Sequence, residues 1–237
     1  GETRPYIRNY LDTQLSTMEA TINDVIDSPD TSVVCLDVGC GTGSDLLKLV
    51  GKQTYEEHSN QITCVGVDIS TPSIDIANRK AKNMGVSDNF TFVAADATKL
   101  TELEDVQAHL NPDKTRIVSC LGNTLGILRG DICTGTIREM CSLIRADTKD
   151  RLYWTVWNGE KFDFARDTFY PDIREIAGVI PPECFDFDTH TVLEPDTDYY
   201  SHWWMEDELR EILTGHGLEI EQLEREEHCF SILAKRA

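Results

Sequence analysis

Apolar positions fall into two patterns that alternate along the chain, unbroken short runs and stripes spaced by three and four. The runs begin at Val33, Ile62 (to Val67), Phe90 (to Ala94), Arg116 (to Leu121) and Arg151 (to Trp157). Their length and β-branched content read as strands buried on both faces. The stripes lie between them. Ile7, Leu11, Leu15, Met18, Ile22, Val25 and Ile26 predict an amphipathic helix from residue 5 to about 27, stopped by Ser28-Pro29-Asp30. Ile74, Ala77, Ala81 and Met84 predict a second helix, started by Thr71-Pro72 and closed by Gly85. A third runs from Asp131 to Arg145 and a fourth from near Met205 to Gly215. Leu218–Glu224 and Cys229–Ala234, joined by a short charged turn, read as an antiparallel hairpin. Strands alternating with helices predict an α/β fold with a mostly parallel sheet. Residues 158–204 break the alternation and are dense in aromatic residues. A segment that long is poorly explained as a bare connection. It reads as a lid whose rings enclose a cation and exclude water, or as rings packed into the segment's own small core.

The first strand runs directly into a glycine turn, VVCLDVGCGTG, with Gly39, Gly41 and Gly43. Thr42 and Ser44 are expected to cap a helix beginning near Asp45. A strand that ends in glycines and opens a helix is a nucleotide cradle, because glycine lets the backbone approach a ligand closely. Asp68 ends the second strand about 25 residues beyond that turn, where a carboxylate accepts both hydroxyls of a ribose. The dinucleotide spacing G-x-G-x-x-G fails here, because position 44 is Ser and the third glycine comes one residue early.

Asp37-x-Gly39-x-Gly41-x-Gly43 is instead similar to the pattern of class I S-adenosylmethionine (SAM) methyltransferases. The resemblance extends over essentially the whole chain and is weakest across 158–204. It implies a Rossmann-like, doubly wound seven-stranded sheet, mostly parallel with a C-terminal antiparallel hairpin, plus an N-terminal helix and the lid insertion. It implies one domain over 1–237, with SAM as cofactor and S-adenosylhomocysteine (SAH) as product. By the same resemblance Asp37, Gly39, Cys40, Gly41, Gly43, Asp68, Ile69 and Leu121 contact the cofactor. Asp96, after strand three, holds the adenine amino group, and the amide of Ala97 serves a ring nitrogen. Leu121-Gly122-Asn123-Thr124 most resembles small-molecule N-methyltransferases of the glycine N-methyltransferase type, in which an Asn here holds the substrate. A turn-forming Asn is the structural alternative. The acceptor side is expected to include Tyr6, Tyr10, Trp157 and Tyr170, with Arg129 or Arg166 for a carboxylate and His202 for a proton. For either arginine, surface ion pairing is the alternative. The implied activity is methyl transfer to nitrogen of a small amine or amino acid. Oxygen or sulfur acceptors, and a SAM-binding protein without turnover, stay open.

Composition narrows the partners. With 42 acidic and 22 basic residues the net charge is −20, which repels phosphate backbones and anionic lipids. Nucleic-acid and membrane partners are therefore not expected, though a high-salt source would also explain such acidity. The opening GETRPYIRNY lacks an apolar signal-peptide core, and Gly1 in place of Met reads as a trimmed start. The eight cysteines show no C-x-x-C pair and no zinc spacing, so reduced core thiols in a cytoplasmic protein are expected, and no metal. Oligomeric state leaves no signal in the sequence.

Overall fold

The computed structural model describes the backbone of residues 5–237, with side chains for all of these except 5–7 and 175–176. Seven strands make the central sheet: β1 (Val33–Val38), β2 (Ile62–Asp68), β3 (Phe90–Ala94), β4 (Thr115–Cys120), β5 (Arg151–Trp157), β9 (Leu218–Arg225) and β10 (Cys229–Arg236). Between β5 and β9 lie three short strands, β6 (Phe185–Asp186), β7 (Thr191–Glu194) and β8 (Tyr199–His202), which form an antiparallel sheet of their own. The large sheet has the order β3-β2-β1-β4-β5-β10-β9. β1 to β5 are parallel, and β10 runs antiparallel between β5 and β9. This is the Rossmann-like methyltransferase architecture.

The pleat explains the unbroken apolar runs. Val34, Leu36 and Val38 enter the core on one face, and Val33 and Cys35 enter the core on the other. The helices Pro5–Val25 and Thr71–Met84 cover the second face through Ile22, Val25, Ile74 and Ala77. Gly130–Ser142 and Glu206–Gly215 cover the first through Ile137, Met140, Leu209 and Leu213. The strand order reverses between β1 and β4, which opens a crevice at their carboxyl ends, the usual ligand position in such sheets.

The Thr71–Met84 helix has the expected ends: the Ser70 hydroxyl accepts from Ser73 N–H, and Gly85 closes it in a left-handed conformation. The helix after the glycine turn differs from expectation. It is one turn, Ser44–Leu47, preceded by Gly43 at φ 69° and capped by no side chain. With Gly43 supplying the left-handed kink, the Thr42 and Ser44 hydroxyls turn to Lys80, whose Nζ lies 2.9 and 2.8 Å away. The sequence also gave no warning of the helix Gln53–His58, which buries Tyr55 beside Phe90.

The rings of 158–204 are largely packed on one another: Phe162, Phe169, Tyr170 and Trp203 form a third core with Val192. The N-terminal helix is anchored to the carboxyl ends of β4 and β5. The buried Tyr10 hydroxyl donates to Thr155 Oγ1 at 2.8 Å, and Gln14 Oε1 accepts from Thr155 Oγ1 and Gly122 N–H. No helix among the described residues is long and apolar enough to cross a membrane.

Candidate functional site

The three glycines at the end of β1 all have positive φ, and they are glycine for different reasons. A Cβ on Gly39 would lie 2.2 Å from Thr124 Cγ2, and one on Gly43 would lie 2.6 Å from Phe92 Cε1. Those two are packed against protein. A Cβ on Gly41 would meet nothing within 4 Å among the described residues, so of the three glycines only this one faces open space there.

Gly41 N–H donates to Asp68 Oδ2 at 2.8 Å, and Ser70 N–H donates to Asp68 Oδ1 at 2.8 Å. The half-buried carboxylate at the tip of β2 thus clasps the glycine turn while each oxygen keeps a second lone pair. Beside it, Ile69 is 80% exposed, unusual for a large apolar side chain. Ala95 N–H donates to the Asp68 carbonyl, which brings the tip of β3 against that of β2. Asp96 follows, its Oδ1 accepting Thr98 N–H at 2.9 Å and Thr98 Oγ1 at 2.7 Å. These bonds hold its carboxyl below the ordinary carboxylate range. Ala97 begins the single turn that Asp96 caps.

Beneath the turn, Gly66 of β2 is required because a Cβ there would lie 2.5 Å from Phe92 and 2.7 Å from Cys40 Sγ. The Cys40 thiol is therefore directed under the turn, and burial pushes its pKa up. Leu121 is buried at the end of β4, its carbonyl accepting from the Thr124 hydroxyl at 2.7 Å.

Asp37 is buried beneath the turn with one side-chain donor, Ser119 Oγ at 2.8 Å. Burial, which outweighs that bond, lifts its pKa to about 8, with Asp45 and Asp68 adding in the same direction. The folded protein therefore holds a proton that the unfolded chain, with a carboxyl near 3.8, has released. This contribution to stability is present below about pH 4 and is lost as pH rises through about 8, by up to about 1.4 kcal/mol per pH unit. Asp37→Asn is expected to flatten that slope. Urea midpoints of both proteins between pH 5 and 9 check it, and parallel profiles would show that Asp37 does not titrate there.

At the ends of β4 and β5 the Asn123 side chain is engaged within the protein. It is 1% exposed; Oδ1 accepts Trp157 N–H at 3.0 Å, and Nδ2 lies 3.5 Å from Ser201 Oγ and from the His202 carbonyl. The Trp157 ring sits among Tyr10, Phe169 and Trp203, with centroids 5.0 to 5.7 Å away. His202 Nε2 lies 3.1 and 3.0 Å from the Glu208 carboxylate oxygens, while its buried Nδ1 has no partner among the described residues. Arg129 pairs with Asp198 at 2.7 Å and lies over the Tyr200 ring. Arg166 pairs with Asp163 and Asp167. Tyr170 is buried in the insertion's core, its hydroxyl accepting from Trp203 Nε1. Tyr6 lies outside the residues whose side chains are described.

The expected cofactor residues thus converge on the carboxyl ends of β1 to β4. Arg129, Arg166 and Tyr170 lie apart from them, on or against the insertion. Residues that the sequence reading missed include Lys80, Gly66 and Gln14. Gln14 had a signal, being polar within the apolar stripe of Leu11, Leu15 and Met18.

The methyltransferase-domain family profile matches residues 29–149. A sterol 4-C-methyltransferase of Caenorhabditis elegans is 38% identical over 69 residues, which are 29% of this chain and 18% of that protein. The matched curated relatives are thus aligned over only about a fifth of their own length. Among solved structures, a SAM-dependent methyltransferase from Clostridium acetobutylicum superposes with TM-score 0.60 at 13% identity, covering 99% of this chain and 93% of the other. Magnesium protoporphyrin IX methyltransferase from Synechocystis with bound SAH gives 0.57 at 18% identity, covering 100% and 90%.

Proposed function

The chain belongs to the methyltransferase-domain family, and from that premise we propose that it transfers a methyl group from SAM to a small-molecule acceptor, at the nitrogen of an amine or amino acid. The observation that carries the reading is the Asp68–Gly41 clasp: a carboxylate with spare lone pairs beside the turn's glycine whose Cβ position is open among the described residues. Asp68 would hold the ribose hydroxyls, Ile69 would lie against the adenine, and Asp96 with the Ala97 amide would read the adenine edge. The open Cβ position of Gly41 and the spare lone pairs of Asp68 fit that group.

When bound, SAM supplies a methyl group already activated on a sulfonium. The chain's own task is alignment and exclusion of water, and alignment is worth roughly 7–11 kcal/mol of barrier in favourable cases. The N-terminal helix, through Tyr10 and Gln14, closes over the ends of β4 and β5, where Trp157 forms an aromatic wall. Asn123 positions that wall by holding Trp157 N–H. An amine must lose its proton before attack; His202 Nε2 is taken up by Glu208 and its Nδ1 is buried, so that proton leaves before the amine binds.

Incubation with methyl-labelled SAM and panels of small amines, amino acids, carboxylic acids and thiols, read by mass spectrometry, tests the reading. N-methyl product with stoichiometric SAH is expected. A methyl ester or thioether would move the acceptor to oxygen or sulfur. SAM binding without product on any panel would favour a binding protein, and failure to bind either nucleotide would remove the reading.

A further inference from the structure

A trench on the far side of the single helical turn Thr124–Ile127 shares no residue with the proposed donor site. It is an open hollow of about 820 Å³ between the chain just after β4 and the insertion, lined by Ile127, Leu128, Ile132, Ala177, Tyr199 and Tyr200. A smaller hollow of about 140 Å³, lined by Tyr170, Pro171, Val179 and Ile180, continues it, because Arg174 and Gly178 line both. Large apolar side chains stand exposed along it: Ile127 at 55%, Ile132 at 57% and Val179 at 78%. Exposed apolar groups gathered around a concavity mark a binding surface rather than scattered surface residues.

The charge arrangement says what the surface binds. Among the described lining residues the sole carboxylate is Asp198, and Arg129 takes it through both a side-chain and a backbone contact. Arg174 is different. Its Nε donates to the Pro171 carbonyl, and its terminal nitrogens have no partner among the described residues. In a chain of net charge −20, an exposed guanidinium at the rim of an apolar trench, with no carboxylate on its terminal nitrogens among the described residues, is a local anion site. The Arg129–Asp198 pair ties the segment after β4 to the β7–β8 turn, with the Arg129 guanidinium lying on Tyr200.

We propose that this trench binds an apolar monocarboxylic acid, its carboxylate on Arg174 and its hydrocarbon along Ile127, Ile132 and Val179. One cation free among the described lining residues matches one negative charge, and the exposed side chains of Ile127, Ile132 and Val179 match a hydrocarbon rather than a compact polar metabolite.

The probe is decanoate, kept below its micelle concentration and titrated calorimetrically into the full chain, with decanol as the uncharged control. Saturable decanoate binding is expected, weakened about tenfold or more by Arg174→Gln, as loss of a charge-assisted hydrogen bond implies. Decanol affinity should stay unchanged in that variant. Ile132→Glu, at an exposed helical position, should abolish binding of both while SAH binding persists. Absence of saturable binding in the wild type overturns the proposal, as does binding that neither substitution alters. So does self-association that Ile132→Glu abolishes, if decanoate leaves it unaffected. SAH titration reports the donor site separately, so failure here leaves the transferase reading standing.

Discussion

Asp68→Ala is expected to lower affinity for SAM and SAH by about a hundredfold or more while leaving the fold intact. Two hydroxyl hydrogen bonds to a charged acceptor are worth about 1.5–3 kcal/mol each, and about 2.7 kcal/mol already makes a hundredfold. The loss has a second source. The same carboxylate accepts Gly41 N–H and Ser70 N–H at 2.8 Å, so its removal also frees the glycine turn from the tip of β2. Asp68→Asn keeps one acceptor oxygen and the side-chain shape, and an intermediate loss should follow. Calorimetric titration with SAH, alongside circular dichroism of each variant, checks both. Affinity in Asp68→Ala within twofold of wild type would sink the donor-site assignment.

The glycine turn should separate stability from binding. Gly39→Ala places a Cβ 2.2 Å from Thr124 Cγ2 at φ 75°, so it combines overpacking with a backbone conformation that alanine resists. A loss of about 2–4 kcal/mol is expected in urea denaturation. Gly41→Ala has no clash to relieve, and left-handed strain at φ 52° costs about 1–2 kcal/mol. That variant should stay folded, with a smaller stability loss than Gly39→Ala, and yet lose most SAH affinity, because its new methyl group fills the space the nucleotide needs. If Gly41→Ala binds SAH normally, the open side of the turn is not the donor site. If Gly39→Ala is as stable as wild type, Thr124 has more room to move than the packing shows.

The contrast between these glycines was invisible in the sequence, where all three occupy equivalent places in one motif. What distinguishes them is contact with Thr124 and Phe92, residues brought in by β4 and β3. The same holds for the acceptor side. Asn123 read as a substrate contact, but its amide meets Trp157, 34 positions on, and Ser201, 78 positions on. Arg129 and Arg166 were named for a substrate carboxylate, and folding provides each with an aspartate. Arg174, which no motif marks, has terminal nitrogens with no partner among the described residues.

The sequence by itself determined the seven strands of the central sheet and the four long helices, the parallel sheet with its antiparallel end, the glycine turn and the placing of Asp68 and Asp96 at strand tips. Those features are written in local periodicity and in spacings of a few residues, which act before distant segments meet. The tertiary structure alone decided which polar side chains remain available to a ligand. That depends on partners tens of residues away, and a buried or half-buried polar group takes whichever partner the packing brings within reach.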